Sequence, residues 1–501
     1  MLKKIPLYPF LLAVYPVLTL GAHNISQIAP GDILRPLLLS LLAAGVVLGL
    51  ARLFLRDWHR AALAAALVLL LFFSYGQVYA GAKLMGITFF RHRVLFTTWG
   101  ILVIAGFVYI VRWLKDPAAW TSWLNLISAL MLVYPAFVIS SSAVDQTLAS
   151  RAAAVGVQAS ASTNQDDRPD IYYIILDSYA RQDALFEDFG YDNSGFIRAL
   201  VDRGFYVADC GQSNYAQTGL SLPASLNYNY LEGLEPNFTE KLKDEGFYIK
   251  HSAIRSFLES QGYHTIAFAT GFQFTELRDA YVYHEPRFRS SAASPFEALF
   301  ADTTLLRLAT DFGYLDLQKM SEQEYFRQRT SAAFDGLKET PRDGGPYFTF
   351  AHIIVPHPPY VFGPRGEEVY YGGTAAHGEQ GLTEQQRLQG YRDQVTFANQ
   401  RTLEAVDTIL EESDVPPIII IQGDHGAPGA RVSRRMRILN SYYAPKAAAL
   451  FYPAITPVNS FRIILNAYFN QDLPLLEDHS YFSTFSDWAH FQEALPSCPE
   501  E

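Results

Sequence analysis

Only two cysteines, Cys210 and Cys498, occur in 501 residues. That is too few thiolates for a cysteine-built zinc site, so any metal must be held by oxygen and nitrogen ligands. One long-range disulfide is open to the pair. Acidic side chains are nearly missing from the first 150 positions, which hold 11 Lys+Arg and 4 Asp+Glu, against 28 and 46 in the remainder. The formal charges are therefore +7 and −18, and a chain so divided reads as two parts. The acidic second part lacks the basic surface that nucleic acid requires, and no nucleotide-binding glycine loop or long internal repeat is present.

What the first part has instead is apolar length. Five stretches, about Ile5 to Gly21, Ile33 to Leu55, Ala61 to Ala82, Val94 to Leu114 and Trp120 to Ile139, approach the length of a bilayer span. If all five cross, Arg52, Arg56, Arg60, Arg112 and Lys115 share a side with Lys3 and Lys4, which puts the amino terminus in the cytoplasm. The first opposing loop, Ala22 to Asp32, has no Lys or Arg, whereas Lys83, Arg91 and Arg93 in the second depart from that asymmetry. An odd number of spans exports the acidic part, giving a multi-pass protein of the inner or plasma membrane with a periplasmic or extracellular domain. The stretches contain no Asp or Glu, which speaks against an ion-coupled transporter and for an anchor.

The expected organisation is an anchor over residues 1–140, an exposed Ala/Ser/Gln/Asp-rich linker over 141–167 and a folded domain over 168–501. In that domain short apolar runs alternate with amphipathic segments. Ile171 to Leu176, Phe205 to Ala208, Thr265 to Ala269, Tyr347 to Ile354 and Pro417 to Ile421 read as strands. Asn193 to Arg203, Ser252 to Gln261 and Thr383 to Glu412 read as helices, with Gly204 and Gly262 at helix stops. The alternation predicts an α/β fold with a central, mostly parallel sheet between helices.

The run Pro417-Ile-Ile-Ile-Ile-Gln-Gly-Asp-His-Gly426 is the most informative segment. A buried strand ends in two adjacent metal-ligand types, Asp424 and His425, at the carboxyl end where α/β sheets collect ligands. The run Ile171 to Leu176 likewise ends in Asp177, either a helix cap or a third ligand. The hydroxyl-rich stretch Ser213 to Pro223 enters a helix and can supply a nucleophile, which needs activation such as metal coordination.

These residues together resemble the alkaline phosphatase superfamily, close to membrane sulfatase-like hydrolases and transferases such as lipoteichoic acid synthases and lipid A phosphoethanolamine transferases. That resemblance covers most of the chain and implies a bundle of about five transmembrane helices followed by a sulfatase-like catalytic domain. The nucleophilic threonine of the phosphoethanolamine transferases opens a Thr-x-x-Ser-x-Pro pattern, which Thr218-Gly-Leu-Ser-Leu-Pro223 matches. The resemblance implies Thr218 as nucleophile, and Asp177, Thr218, Asp424 and His425 around one divalent metal, zinc or manganese. Asp177 stands where those transferases use Glu, and their further histidine after the Asp-His pair has no counterpart between Gly426 and Glu477. Sulfate-ester hydrolases of the superfamily use Cys/Ser-x-Pro-x-Arg instead, which Ser221-Leu-Pro-Ala-Ser225 matches only up to the missing arginine; Ser221 is the second candidate.

In Tyr347 to Tyr360, His352 and His357 lie at the spacing of the transferases' two histidines, implying substrate contact or protonation of a leaving group. Arg431, Arg434, Arg435 and Arg437 form a basic cluster, of which Arg431 is the candidate for gripping a phosphate. The expectation is a membrane-anchored phosphotransferase or phosphodiesterase with a membrane lipid as donor and an envelope glycan or lipid as acceptor. A hydrolase of sulfate or phosphate esters and a non-catalytic envelope-binding protein are the alternatives.

Overall fold

The computed structural model describes residues 5–25, 30–87, 89, 91–141, 168–234, 246–286, 294–314, 317–339, 345–372, 379, 381–429, 432–484, 487–494 and 498. Most of the expected linker, residues 142–167, lies outside them. The amino-terminal elements are α1 (Tyr8–His23), α2 (Leu34–Leu55), α3 (Trp58–Leu84), α4 (His92–Arg112) and α5 (Pro117–Met131). There follow β1 (Ile171–Leu176), α6 (Gln182–Phe189), α7 (Ser194–Asp202), β2 (Tyr206–Val207), α8 (Thr218–Leu226), α9 (Ala253–Ser260), β3 (His264–Phe268) and β4 (Val282–His284). Next come α10 (Pro295–Thr303), α11 (Arg307–Asp311), α12 (Leu317–Lys338), β5 (Tyr347–Ile353), β6 (Tyr360–Phe362) and β7 (Glu368–Gly372). The last are α13 (Glu384–Glu412), β8 (Ile418–Gly423), β9 (Asn440–Tyr443), α14 (Pro457–Phe469), β10 (Tyr481–Thr484) and β11 (Asp487–Glu493). Two compact units result, Met1–Gln158 with Arg289–Tyr325, and Ala159–Phe288 with Phe326–Glu501.

In the first unit Gly31–Leu55, Trp58–Leu84, His92–Arg112 and Pro117–Ser141 are long and apolar enough to cross a membrane, and Tyr8–His23 is a shorter apolar helix. Its 16 residues rise about 24 Å, less than the ~30 Å of a hydrocarbon core. The five stretches thus become four long helices and one short one. The short helix packs along part of its neighbours: Tyr8 clusters with Leu48 and Ala61, Ala13 with Ala44 and Leu69, and Val17 with Ile33. Small side chains at Ala61, Ala62, Ala65 and Ala66 permit that close approach. Two of the few acidic residues cap helices here, Asp57 accepting from Arg60 N at 2.7 Å and Asp116 from Ala119 N at 3.2 Å. Arg60 also donates to the carbonyls of Val111 at 2.6 Å and Leu114 at 3.2 Å, satisfying the end of α4.

The second unit is built on a seven-stranded sheet of order β2-β9-β8-β1-β5-β3-β4. β1 lies between parallel β8 and β5, and among these strands β9 alone runs opposite to the others, pairing antiparallel with both β8 and β2. Alternation along β1 divides the core. Tyr172, Ile174 and Leu176 join one apolar cluster with Tyr391, Val395 and Ala398 of α13, while Ile171, Tyr173 and Ile175 join another with Leu222 of α8 and Phe461 of α14. The same parity holds in β8, where Ile419 and Ile421 face one layer and Ile418 and Ile420 the other. A sheet buried on both faces explains the unbroken apolar run in β8. The two expected stop glycines, Gly204 and Gly262, have φ of +87° and +88°, the left-handed conformation that ends a helix.

Strand β9 is not apparent from composition because Asn440-Ser-Tyr-Tyr443 is polar. Its polar groups are used inward: Gln422 Nε2 donates to Asn440 Oδ1 at 2.5 Å, and Ser441 Oγ donates to Ile421 O at 3.0 Å. Cys210 and Cys498 form a disulfide across 288 residues of sequence, realising the pairing left open by their number.

Candidate active site

Register brings the acidic residues together. Leu176 of β1 pairs with Gly423 of β8 and with Ile353 of β5, so Asp177 and Asp424 each follow the last paired residue of neighbouring strands. Adjacent strands lie about 4.8 Å apart, and the ligand atoms of Asp177, Asp424 and His425 all fall within 4.8 Å of one another. Parity adds direction: Asp177 continues the face of Ile171, Tyr173 and Ile175, and Asp424 that of Ile418 and Ile420, which is the layer holding α8. His352, two residues beyond Phe350, belongs to the same face.

Thr218 is the first residue of α8, half-buried, with Oγ1 at 3.3 Å from His425 Nε2. Ser221, one turn on, is buried and donates from Oγ to Asp424 O at 2.7 Å. His425 Nδ1 lies 3.0 Å from Gly426 O, a carbonyl that can only accept. The proton therefore sits on Nδ1, and Nε2 carries the lone pair facing Thr218 and the carboxylates. His352 places Nε2 at 3.3 Å from Asp177 Oδ2 and Nδ1 at 3.2 Å from Thr275 Oγ1. His357, half-buried, holds Nδ1 at 2.6 Å from Pro358 O, and its backbone N–H donates to Asp177 O at 3.2 Å.

The electrostatics of this cluster call for a cation. Burial pushes the Asp424 carboxyl up to about 6, with the nearby Asp177 charge adding to the rise. Burial acts in the same sense on Asp177, but His357, His352 and His425 outweigh it and hold that carboxyl well below the usual range. Burial, reinforced by the positive charge of Arg435, drives His425 far down, so its imidazole is neutral, the form that ligates metals. Asp424 Oδ2 is buried without a hydrogen-bond partner. Two carboxylates, a neutral imidazole whose Nε2 carries its lone pair toward them and an orphaned oxygen are the donor set of a divalent ion, with Asp177, Asp424 and His425 as ligands.

The sulfatase family model matches residues 169–447, more than half of the chain and all of the strands that build this cluster. The chain belongs to the sulfatase family. It is thus an enzyme of the sulfatase-like hydrolases and transferases within the alkaline phosphatase superfamily. Among solved structures it is similar to the zinc complex of the periplasmic domain of EcEptC from Escherichia coli, at 12% identity over 66% of this chain and 93% of that one, with a TM-score of 0.43. It is also similar to the periplasmic domain of the phosphoethanolamine transferase EptC from Campylobacter jejuni, at 13% identity, 62% and 92% coverage and a TM-score of 0.36. The lipoteichoic acid synthase LtaP from Listeria monocytogenes matches at 11% identity, 61% and 74% coverage and a TM-score of 0.36. No curated protein matches the chain.

Two residues of this sulfatase-family site escaped sequence reasoning. Ser178 has φ of +65°, a left-handed conformation unusual for a residue with a side chain, and its N–H donates to Asp424 Oδ1 at 2.8 Å while Oγ donates to Asp177 Oδ1 at 3.1 Å. Tyr391 holds that turn by donating to Ser178 O at 2.7 Å. Nothing in the identity of a serine announces such a role. Arg435 had a signal, the arginine cluster, though not one that singled it out. It donates to Gly426 O at 2.8 Å and Ala216 O at 3.2 Å, and Nη2 lies 3.2 Å from His425 Nε2. Arg431 lies outside the described residues. Arg434 and Arg437 turn instead to α6, pairing with Glu187 and Asp188, and with Asp183 and Glu187, respectively.

That pairing has a pH signature. Burial raises the Asp183 carboxyl, but hydrogen bonds and charge from Arg181, with charge from Arg437, bring it below its ordinary 3.8. A carboxyl depressed on folding adds stability that is complete above the unfolded value and is lost as pH falls through the native one. Asp183→Asn should therefore lower the melting temperature at pH 7 and flatten its fall below pH 4; parallel acid-melting curves for parent and variant would contradict the assignment.

Proposed function

We propose that the protein is a membrane-anchored, metal-dependent phosphotransferase or phosphodiesterase with Thr218 as nucleophile, moving a phospho-alcohol group from an envelope lipid to a glycan or lipid acceptor. The contrast between two hydroxyls carries this reading. Thr218 Oγ1 is accessible beside His425 Nε2, whereas the Ser221 hydroxyl is buried and spent on Asp424 O. A zinc or manganese ion held by Asp177, Asp424 and His425 would supply the charge that lowers the pKa of a bound hydroxyl and neutralises a non-bridging phosphate oxygen.

The protein's own groups do the rest. Thr218 Oγ1 is aimed from the first position of α8, where the helix dipole favours an approaching phosphate. Its oxygen forms the new bond to phosphorus as the bond to the leaving alcohol breaks. With Nδ1–H of His357 committed to Pro358 O, Nε2 is the nitrogen left to exchange a proton with that alcohol. Arg435 adds a fixed positive group next to His425 to face phosphate charge. The phospho-threonine then passes its group to an acceptor: water makes a hydrolase, a sugar hydroxyl a transferase. The excess of basic residues at one end of the span bundle, Lys3, Lys4, Arg52, Arg56, Arg60, Arg112 and Lys115 against Arg35, Lys83, Arg91 and Arg93, and a disulfide in the second unit both support an inner or plasma membrane protein with an extracytoplasmic catalytic domain.

The test is p-nitrophenol release by the full chain in detergent from phosphodiester, phosphomonoester and sulfate esters, with metal content measured in parallel. Metal-dependent turnover dominated by the diester supports the proposal. Dominant sulfate turnover would replace it with a sulfate-ester hydrolase, and a folded, metal-free, inert protein with an envelope-binding role.

A further inference from the structure

The first unit contains a segment that interrupts the sulfatase domain in sequence. Residues 294–314, carrying α10 and α11, fall within the family match at 169–447 and yet pack with the apolar helices. Phe296 is buried in a cluster with Val17, Ile33, Leu37 and Ile139, and Phe300 packs on Phe73 with ring centroids 5.9 Å apart. Leu305 N donates to Phe72 O at 2.9 Å. Gly76 makes room for the seat, since a Cβ there would lie 2.1 Å from Asp302 O and 2.6 Å from Thr303 C. His92 places Nε2 at 2.9 Å from Asp311 Oδ2, and Arg35 Nε lies 3.3 Å from Glu297 Oε1.

These contacts share one end of the bundle. They fall in the second half of α1, at the start of α2, in the second half of α3, at the start of α4 and near the end of Pro117–Ser141. Arg52, Arg56, Arg60, Arg112 and Lys115 mark the other end. The segment's charges are consumed locally: Glu297 on Arg35, Asp302 on Thr310 at 3.0 Å, and Asp311 on His92 and Arg307. What remains outward is apolar, with Leu299 43%, Leu306 44%, Phe312 60% and Tyr314 85% exposed. This apolar surface continues that of the adjoining span ends, where Leu84 is 89% and Met85 76% exposed.

We infer that residues 294–314 form an interfacial element that lies in the lipid headgroup layer at the end of the bundle opposite Arg52, Arg60 and Arg112, with Leu306, Phe312 and Tyr314 entering the bilayer of the membrane that the spans cross. Four apolar side chains exposed beside spans are costly in water and favourable at the headgroup boundary, where Tyr is enriched and where Phe and Leu form the buried face of interfacial segments. The occupant of this surface is therefore lipid, reached by continuity with the spans. The inference goes beyond the phosphotransfer chemistry and shares with it only the membrane anchor.

Because both native cysteines are joined in a disulfide, Phe312→Cys and Tyr314→Cys each introduce a single free thiol for a nitroxide. The labelled full chain is reconstituted in phosphatidylethanolamine/phosphatidylglycerol vesicles, and label accessibility to oxygen and to a water-soluble nickel chelate is compared with that of Glu411→Cys on α13. Residues 312 and 314 should be oxygen-accessible and nickel-protected, with collision ratios differing at least several-fold from those at 411. Nickel access equal to that at 411 would show a water-facing loop and overturn the inference. Immobile labels shielded from both reagents would overturn it in favour of a protein neighbour, such as a second copy of the chain.

Discussion

Thr218→Ala is expected to reduce phosphodiester turnover by about 10⁴-fold or more, the scale seen when a covalent nucleophile is removed, while metal content stays near that of the parent. The hydroxyl leaves, but Asp177, Asp424 and His425, whose ligand atoms gather within 4.8 Å, are untouched. Folding should be little affected, because Thr218 is only half-buried and its hydroxyl sits 3.3 Å from His425 Nε2 rather than within the core. Thr218→Ser, which keeps an oxygen at the same place, should recover much of the loss. Ser221→Ala provides the contrast. It removes a buried donor to Asp424 O and should cost about 1–2 kcal/mol of stability, with turnover changed by no more than about tenfold. Turnover that survives at Thr218→Ala and vanishes at Ser221→Ala would sink the threonine assignment.

Asp424→Asn should have opposite effects on the metal-free and metal-loaded protein. Without metal, Asp424 titrates at about 6 against an ordinary 3.8, because it is buried beside the Asp177 charge. A carboxyl raised on folding binds its proton more tightly in the native state, so its ionisation costs nothing below the unfolded value and its full cost above the native one. At pH 7 that cost is on the order of 2–3 kcal/mol, at ~1.4 kcal/mol for each tenfold change in proton affinity. The amide keeps an oxygen to accept from Ser178 N and His425 N and removes the charge. Metal-free Asp424→Asn should therefore melt higher than the metal-free parent at pH 7 and equal to it near pH 3.5. On adding zinc or manganese the order should reverse, since a ligand at a thousand times its dissociation constant stabilises the parent by about 4 kcal/mol and the variant has lost the charge that binds it. An equal metal-induced shift in melting temperature for parent and variant would remove Asp424 from the metal site.

Much of this site is legible in the chain. Apolar runs that lead directly into Asp177 and, through Gln422 and Gly423, into Asp424-His425 indicate which residues reach a strand's carboxyl end, because burial on both faces demands nearly continuous apolar character along the strand. Helix stops are equally local, as at Gly204 and Gly262. Less legible are elements whose polarity is satisfied by distant partners: β9 reads as a loop because Asn440 and Ser441 depend on Gln422 and Ile421 for their hydrogen bonds. The arginine cluster was visible, but its division of labour was not. Arg434 and Arg437 go to α6 and Arg435 to the site, a choice made by acidic residues some 250 positions away.

The sequence by itself determined the kind of protein: an apolar helical anchor, an α/β domain and a set of oxygen and nitrogen ligands, since hydropathy, side-chain period and donor chemistry are properties of short segments. Only the tertiary structure decided that Leu176 pairs with Gly423, placing two carboxylates side by side, and that Ser178 adopts a left-handed turn to bind both. Only it decided that Thr218 rather than Ser221 is left accessible. It also decided that residues 294–314 leave the sulfatase domain to pack on the apolar helices, a seat that Gly76 permits. Register, burial and close approach are relations between segments far apart in the chain, and they exist only once the chain has folded.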